Sequence, residues 1–175
     1  AQYHGVAPFD PATGKPLSPP QEDFSHVFGS TLTELAGEDP RICAITAAME
    51  EGTGLTAFAA AYPKRIFDVG IAEGHAVSMA GGMAKQGLLP VFAVYSSFLQ
   101  RGYDMLLHDV ALNHLHVVLG VDRAGLVGAD GETHHGCFDP MYLSQVPGMT
   151  VLCPASFAEL RRMLRRAVEE LDGPV

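Results

Sequence analysis

The chain has no tryptophan, three cysteines and only 11 lysines and arginines among its 175 residues. Each scarcity argues against a class of function. Cys43, Cys137 and Cys153 are odd in number and form no CxxC pair, which favours reduced thiols over a disulfide framework or a zinc site. The 11 basic residues face 20 acidic ones, a formal net charge of -9. That balance repels polyanions and leaves no basic stripe along a phosphate backbone, so no nucleic-acid partner is expected. No stretch of eighteen or more apolar residues occurs, and no basic start leads into an apolar run with a cleavage site, so the expectation is a cytoplasmic protein without a membrane span. Nucleotide and nucleophile signatures are also missing. No GxGxxG follows a strand-like run, there is no Walker pattern, and there is no Gly-x-Ser-x-Gly elbow.

What is present is apolar and ordered. At 18.6 kDa and 47% hydrophobic residues the chain can close one sizeable core. Residues 1–20, dense in proline and glycine and without an apolar period, read as a linker or extended arm, and residues 21–175 as the domain. In "EDFSHVFGSTLTELAGED" the residues Phe24, Val27, Phe28, Leu32 and Leu35 fall on one helical face. Strand "RICAIT", helix "GLTAFAAAYP", strand "RIFDVGI", helix "EGHAVSMAGGMAKQG" and strand "PVFAVYS" follow. Then come helix "FLQRGYDMLLHDVALNH", strand "LHVVLGVD", a glycine-rich loop from Arg123 to Gly136 and a short helix near "PMYLSQVP". Strand "MTVLCP" and helix "SFAELRRMLRRAVEELDG" complete the pattern. Continuously apolar strands alternating with helices imply an α/β fold, a mostly parallel sheet with helices on both faces. The alternation calls for one more strand after "LDGPV", so residues 21–175 read as a domain fragment lacking its last strand.

In parallel sheets the ligand crevice lies beyond the carboxyl ends of the strands. That rule gathers "TAAMEEG", "GIAE", "YSSF" and "DRAGLVGADGETHH" on one rim. Glu73 stands where a buried strand runs into a helix. Burial opposes its charge while the helix N-terminus favours the anion, a balance that suits sharing a proton with a ligand nitrogen; helix capping is the plainer alternative. Tyr95, Phe98 and Arg101, each three apart, bring an aromatic platform and a guanidinium to one side, although core aromatics with a solvated arginine have the same spacing. Arg123, Asp130, Glu132, His134 and His135 lie on the glycine-rich loop. Arginine suits a phosphate or carboxylate there, and histidine suits proton transfer. The His134–His135 pair with Asp130 has no recognised metal-ligand spacing, and His114 and His116 read as hydrogen-bonded or exposed imidazoles. The basic "RRMLRR" cluster, balanced by Glu159, Glu169 and Glu170, reads as a solvated face.

At "FDVGIAEGHAVSMAGGMA", "VYSSFLQRGYDMLLHDVAL" and "DRAGLVGADGETHHGCFD" the chain resembles the 1-deoxy-D-xylulose-5-phosphate synthases, thiamine diphosphate enzymes of the transketolase group. The motifs occur in the same order and spacing, and the resemblance runs from "YHGVAPFDPATGK" to the last residue. It is to their central, pyrimidine-binding domain. The resemblance implies that Glu73 hydrogen-bonds ring nitrogen N1' of the cofactor, favouring the imino tautomer that removes the C2 proton. Phe98 would stack on the aminopyrimidine, Ile71 and Met49 would hold the cofactor bent, and Arg101 would join the cofactor site. Tyr95 and Arg123 would line the substrate side, Arg123 gripping the phosphate of D-glyceraldehyde 3-phosphate. His134 and Asp130 would serve proton movement and orientation.

By the same resemblance the reaction is the transfer that condenses pyruvate with D-glyceraldehyde 3-phosphate and releases carbon dioxide, feeding isoprenoid and thiamine biosynthesis. A homodimer is implied, with magnesium and the diphosphate held by other domains of the enzyme and no metal by this chain. The alternatives are the pyrimidine half of a split transketolase, a 2-oxoacid dehydrogenase beta subunit, or a noncatalytic interaction module. "AEGH" and "TAAM" depart from the AEQH and TPAM usual in the family, at Gly74 and Ala47.

Overall fold

A computed structural model of the chain describes residues 8–17, 22–128 and 130–175. The remainder of the expected 1–20 arm lies outside the described residues. Within it, residues 8–17 fold back on themselves through the Phe9–Pro16 bridge and an Asp10 side chain that accepts the Ala12 N–H at 2.8 Å.

The core is a four-stranded, all-parallel sheet in the order β2-β1-β3-β4. Its strands are β1 (Ile42–Thr46), β2 (Ile66–Asp68), β3 (Leu89–Tyr95) and β4 (Val118–Asp122). Alternation along β1 and β3 splits the core in two. Ile45, Phe92 and Val94 face α3 (Glu73–Lys85) and the helical segment that follows β3. Ile42, Ala44, Val91 and Ala93 face α1 (Phe24–Glu38), α2 (Thr56–Ala61) and α7 (Phe157–Glu169). The expected α/β fold, with helices on both faces of a parallel sheet, is therefore the one observed.

Helix ends follow local chemistry. Asp23 caps α1 by accepting the His26 N–H at 2.7 Å, and Ser156 caps α7 by accepting the Glu159 N–H at 3.2 Å. The side chains of Arg161, Arg165 and Arg166 keep 41%, 43% and 61% of their surface exposed while pairing with acids. Arg165 pairs with Glu38 of α1 as well as Glu169, and Arg161 donates to Thr31. His116 bonds the Ala167 carbonyl at 2.7 Å, and His114 is an exposed residue with φ at 48°.

Three expectations need correction. "RIFDVGI" is a strand only over Ile66–Asp68, because the Asp68 carboxylate turns the chain, accepting the N–H groups of Gly70 (2.9 Å) and Ala48 (2.8 Å). The helix expected from Phe98 starts at Ser96 and is not uniform. It runs through α4 (Ser96–Leu99), a 3-10 turn, α5 (Tyr103–Met105), a π-turn at Leu106–Val110 and a second 3-10 turn ending at Asn113.

"MTVLCP" is not a strand. A strand needs a ladder partner, and the outer edge of β4 is met by Val175 instead: Leu119 N–H donates to its carbonyl (2.7 Å) and its own N–H to Val117 (3.0 Å). The apolar run lines a cleft of about 640 Å³ between β4 and α7, together with residues such as Leu119, Val121 and Leu164. No helix among the described residues is long and apolar enough to cross a membrane.

Candidate active site

Strand order reverses between β1 and β3: the connection through α2 leads to β2 on one side, and the chain after α3 returns to β3 on the other. The carboxyl ends of β1 and β3 therefore border the crevice that such a reversal opens.

Glu73 is the first residue of α3 and is 3% exposed. Its Oε1 accepts a hydrogen bond from Arg101 Nη1 at 3.0 Å. Arg101 lies over the Phe98 ring, 5.3 Å from its centroid. Phe98 is half-buried and stacks with Tyr95, centroids 5.7 Å apart and planes inclined by 20°. His134 meets both rings edge-on, at 5.4 Å from Phe98 and 6.2 Å from Tyr95. Glu73, Arg101, Phe98, Tyr95 and His134 thus form a continuous chain of contacts.

Tyr95 links this group to Arg123, whose guanidinium sits 4.2 Å from the Tyr95 centroid. Arg123 donates to the Gly52 carbonyl (2.7 Å), to Asp122 (3.0 Å) and to Asp130 (3.1 Å). Burial works against its cation, but the carboxylates of Asp122 and Asp130 outweigh that cost and hold its pKa above the ordinary value. Burial raises the Tyr95 phenol, Arg123 opposing the rise and Asp122, Asp130 and Glu51 adding to it. Gly52 is needed beside this ring, since a β-carbon there would collide with the Tyr95 hydroxyl.

The two apolar residues of the expected site differ. Met49 is buried in the core, three residues into the loop that follows β1. Ile71 is 82% exposed, two residues before Glu73. An isoleucine so bare at the rim of a crevice has apolar surface left to bury against a ligand or another chain. Among the described residues no group of three or more histidine, cysteine, aspartate or glutamate side chains could hold a metal ion.

Residues 21–175 match the family described as "Transketolase, pyrimidine binding domain". The chain belongs to that family. This pyrimidine-binding domain is 56% identical over 171 residues to a 1-deoxy-D-xylulose-5-phosphate synthase of Syntrophus aciditrophicus, covering 95% of the chain and 26% of the relative. It is 56% identical over 177 residues to the enzyme of that name from Chlorobaculum tepidum, covering 99% of the chain and 28% of the relative. The chain thus spans about a quarter of the length of these relatives. A solved "Split gene transketolase, inactive beta4 tetramer" superposes with TM-score 0.75 at 29% identity, covering 86% of the chain and 48% of that one. The transketolase of Leishmania mexicana shares the fold, with TM-score 0.77 at 19% identity over 89% of the chain and 25% of its own.

Several residues that build the site of this pyrimidine-binding domain escape a sequence reading. Asp68 bridges the loop carrying Met49 to the turn before Glu73, through Ala48 (φ 61°) and Gly70. Its signal was the "DVG" turn at a strand end. Asp122 accepts from Ser25 of α1 at 2.6 Å, a pairing 97 residues apart that no local pattern encodes.

Proposed function

We propose that the chain is the pyrimidine-binding domain of a thiamine diphosphate-dependent 1-deoxy-D-xylulose-5-phosphate synthase. The observation that carries the reading is the nearly enclosed Glu73 carboxyl at the start of α3, linked through Arg101 to the half-buried ring of Phe98. These residues fit the cofactor. A flat heterocycle needs an aromatic face, an apolar neighbour and one polar group aimed at its edge, and Phe98, the bare Ile71 and Glu73 offer them. Thiamine diphosphate supplies a nucleophilic carbon and an electron sink for decarboxylation.

The chain's own residues bind and orient. Glu73, held from bulk water, shares a proton with the pyrimidine nitrogen N1'. Arg101, on the open side of Phe98, fixes the carboxylate's direction, and Met49 and Ile71 shape the apolar wall. Tyr95 and Arg123 face the substrates, with Arg123 suited to the phosphate of glyceraldehyde 3-phosphate. His134 moves or steadies a proton near the bound substrate, and Asp130 orients Arg123.

Pyruvate and glyceraldehyde 3-phosphate are the proposed substrates, and the product serves isoprenoid and thiamine biosynthesis in the cytoplasm. Other domains of the same enzyme hold the diphosphate and magnesium, and two copies form the active dimer. Residues 1–20 act as a connecting arm. Identity favours this reading over a split transketolase, at 56% against 29%. The test is product formation from pyruvate and the triose phosphate by the intact protein. Glu73→Ala should abolish it, and unchanged turnover would remove Glu73 from the role.

A further inference from the structure

The loop from Arg123 to Gly136 is pinned by groups to which the site assigns no role. Gly125 and Gly136 exchange both main-chain hydrogen bonds at 2.8 Å, closing the loop at its neck. Gly136 is buried against α4, where a β-carbon would strike both Ser96 Oγ and the Arg123 carbonyl. Three residues on, Asp139 opens α6 (Asp139–Leu143) and is 5% exposed. Its carboxylate accepts from Ser96 Oγ at 2.5 Å and from the Tyr142 hydroxyl at 3.0 Å. A buried carboxylate whose donors here are neutral hydroxyls is costly to keep, so its place calls for a function.

The two ends of this contact are informative. Ser96 lies directly after Tyr95 and two residues before Phe98, so it belongs to the backbone that carries the stacked rings. Asp139 lies just past the neck of the loop that carries Asp130 and His134. The Ser96–Asp139 bond joins the two across 43 residues of sequence. We propose that Ser96 and Asp139 form a latch that fixes the loop on α4 and seats His134 against Tyr95 and Phe98. Asp139 is then a positioning residue that acts through the loop. Its catalytic consequence rests on the proposed synthase activity.

Two single-hydroxyl deletions in the intact protein separate a latch from a merely structural acid. Ser96→Ala and Tyr142→Phe each remove one donor from the same carboxylate, but only the first cuts the link between loop and α4. Ser96→Ala should speed amide hydrogen exchange across residues 126–135 by about tenfold, and lower kcat/KM about tenfold, the size of one hydrogen bond to a charged group. Tyr142→Phe should change both by less than about twofold. Asp139→Asn should reproduce the Ser96→Ala exchange pattern, and it decides the matter if Ser96→Ala does not fold. Equal effects of the two hydroxyl deletions, or loop exchange that does not respond to loss of the Ser96–Asp139 bond, overturn the latch. If loop exchange rises as expected while the unsubstituted protein makes no product from pyruvate and the triose phosphate, the latch stands and the functional reading fails.

Discussion

Arg101 Nη1 lies 3.0 Å from Oε1 of Glu73 while its guanidinium covers the ring of Phe98, so one side chain touches both the buried acid and the aromatic face. The ion pair is asymmetric: the Arg101 side chain is 59% exposed and that of Glu73 only 4%. Solvent screening at the arginine keeps its contribution to stability small, about 1 kcal/mol or less. Its value lies in direction, since the acid's path to the rim runs beside Arg101. Arg101→Ala should weaken thiamine diphosphate binding about tenfold, as for one charged hydrogen bond, with little change in Tm. Calorimetric titration beside a thermal melt checks this, and a fall in Tm with unaltered affinity would make Arg101 a structural residue.

Arg123 illustrates a different economy. Asp130 engages its Nε, Asp122 and the Gly52 carbonyl engage its Nη1, and Tyr95 lies against its plane. A phosphate would approach a guanidinium already held in one orientation, which lowers the cost of ordering it. Arg123→Ala should raise KM for glyceraldehyde 3-phosphate by more than about tenfold and leave KM for pyruvate near its original value. Steady-state kinetics with each substrate varied in turn give the answer. A parallel rise for both substrates would remove the phosphate assignment.

Much of this arrangement is legible in the sequence, for physical reasons. Strands β1 and β3 are apolar at nearly every position because both faces of the sheet are covered, and Glu73 is conspicuous because a carboxylate interrupts such a pattern. What escapes depends on partners remote in the chain. Ser96 and Asp139, like Ser25 and Asp122, are ordinary polar residues until the fold sets each pair together. The failure at "MTVLCP" has the same cause: apolar composition says that a segment is covered, not which edge pairs with it. The segment after β3, irregularly wound, packs closely on α3, where a β-carbon on Gly102 would come within 2.8 Å of Val77.

Tyr142 gives the latch region a pH signature. Burial, and then the charge and hydrogen bond of Asp139, raise its phenol well above the ordinary value. The unfolded chain releases this proton near pH 10 while the folded chain retains it, so the stability contribution is complete below about pH 10 and lost as pH rises toward the folded pKa. Urea unfolding between about pH 8 and 11.5 should therefore show a shallower decline for Tyr142→Phe than for the parent. Equal slopes would mean that Tyr142 ionises as freely folded as unfolded.

The three cysteines should report their surroundings. Burial pushes the Cys43 thiol from 9.0 to about 11, Arg65 only partly opposing it, whereas Cys137 and Cys153 are exposed. The thiolate is the reactive form, so Cys43 is protected by both access and ionisation. A disulfide reagent at about pH 8 should titrate two thiols in the native protein and three after denaturation. Rapid reaction of all three under native conditions would show that the β1 core opens readily.

Two glycines of α3 set the distance between Glu73 and the helical segment that carries Arg101, and they should respond in opposite ways to alanine. A β-carbon on Gly74 would come within 2.7 Å of Met105 Cε, the mobile end of a flexible side chain. Met105 can swing away, and the helix gains from losing a glycine, so Gly74→Ala should leave stability unchanged or raise it by up to about 1 kcal/mol. On Gly81 the same atom meets the Asp109 carbonyl oxygen at 2.7 Å and its carbon at 3.4 Å, both main-chain atoms of the π-turn. They can yield only if the two helices part, so Gly81→Ala should cost about 1–3 kcal/mol. Parting the helices also draws Glu73 from Arg101, so turnover should fall in Gly81→Ala at temperatures well below its Tm, and stay near that of the parent in Gly74→Ala. Denaturant melts and assays on the pair test both statements. Equal losses of stability would mean that Met105 is as immovable as the backbone, and that the departure from AEQH at Gly74 is a packing requirement of this chain.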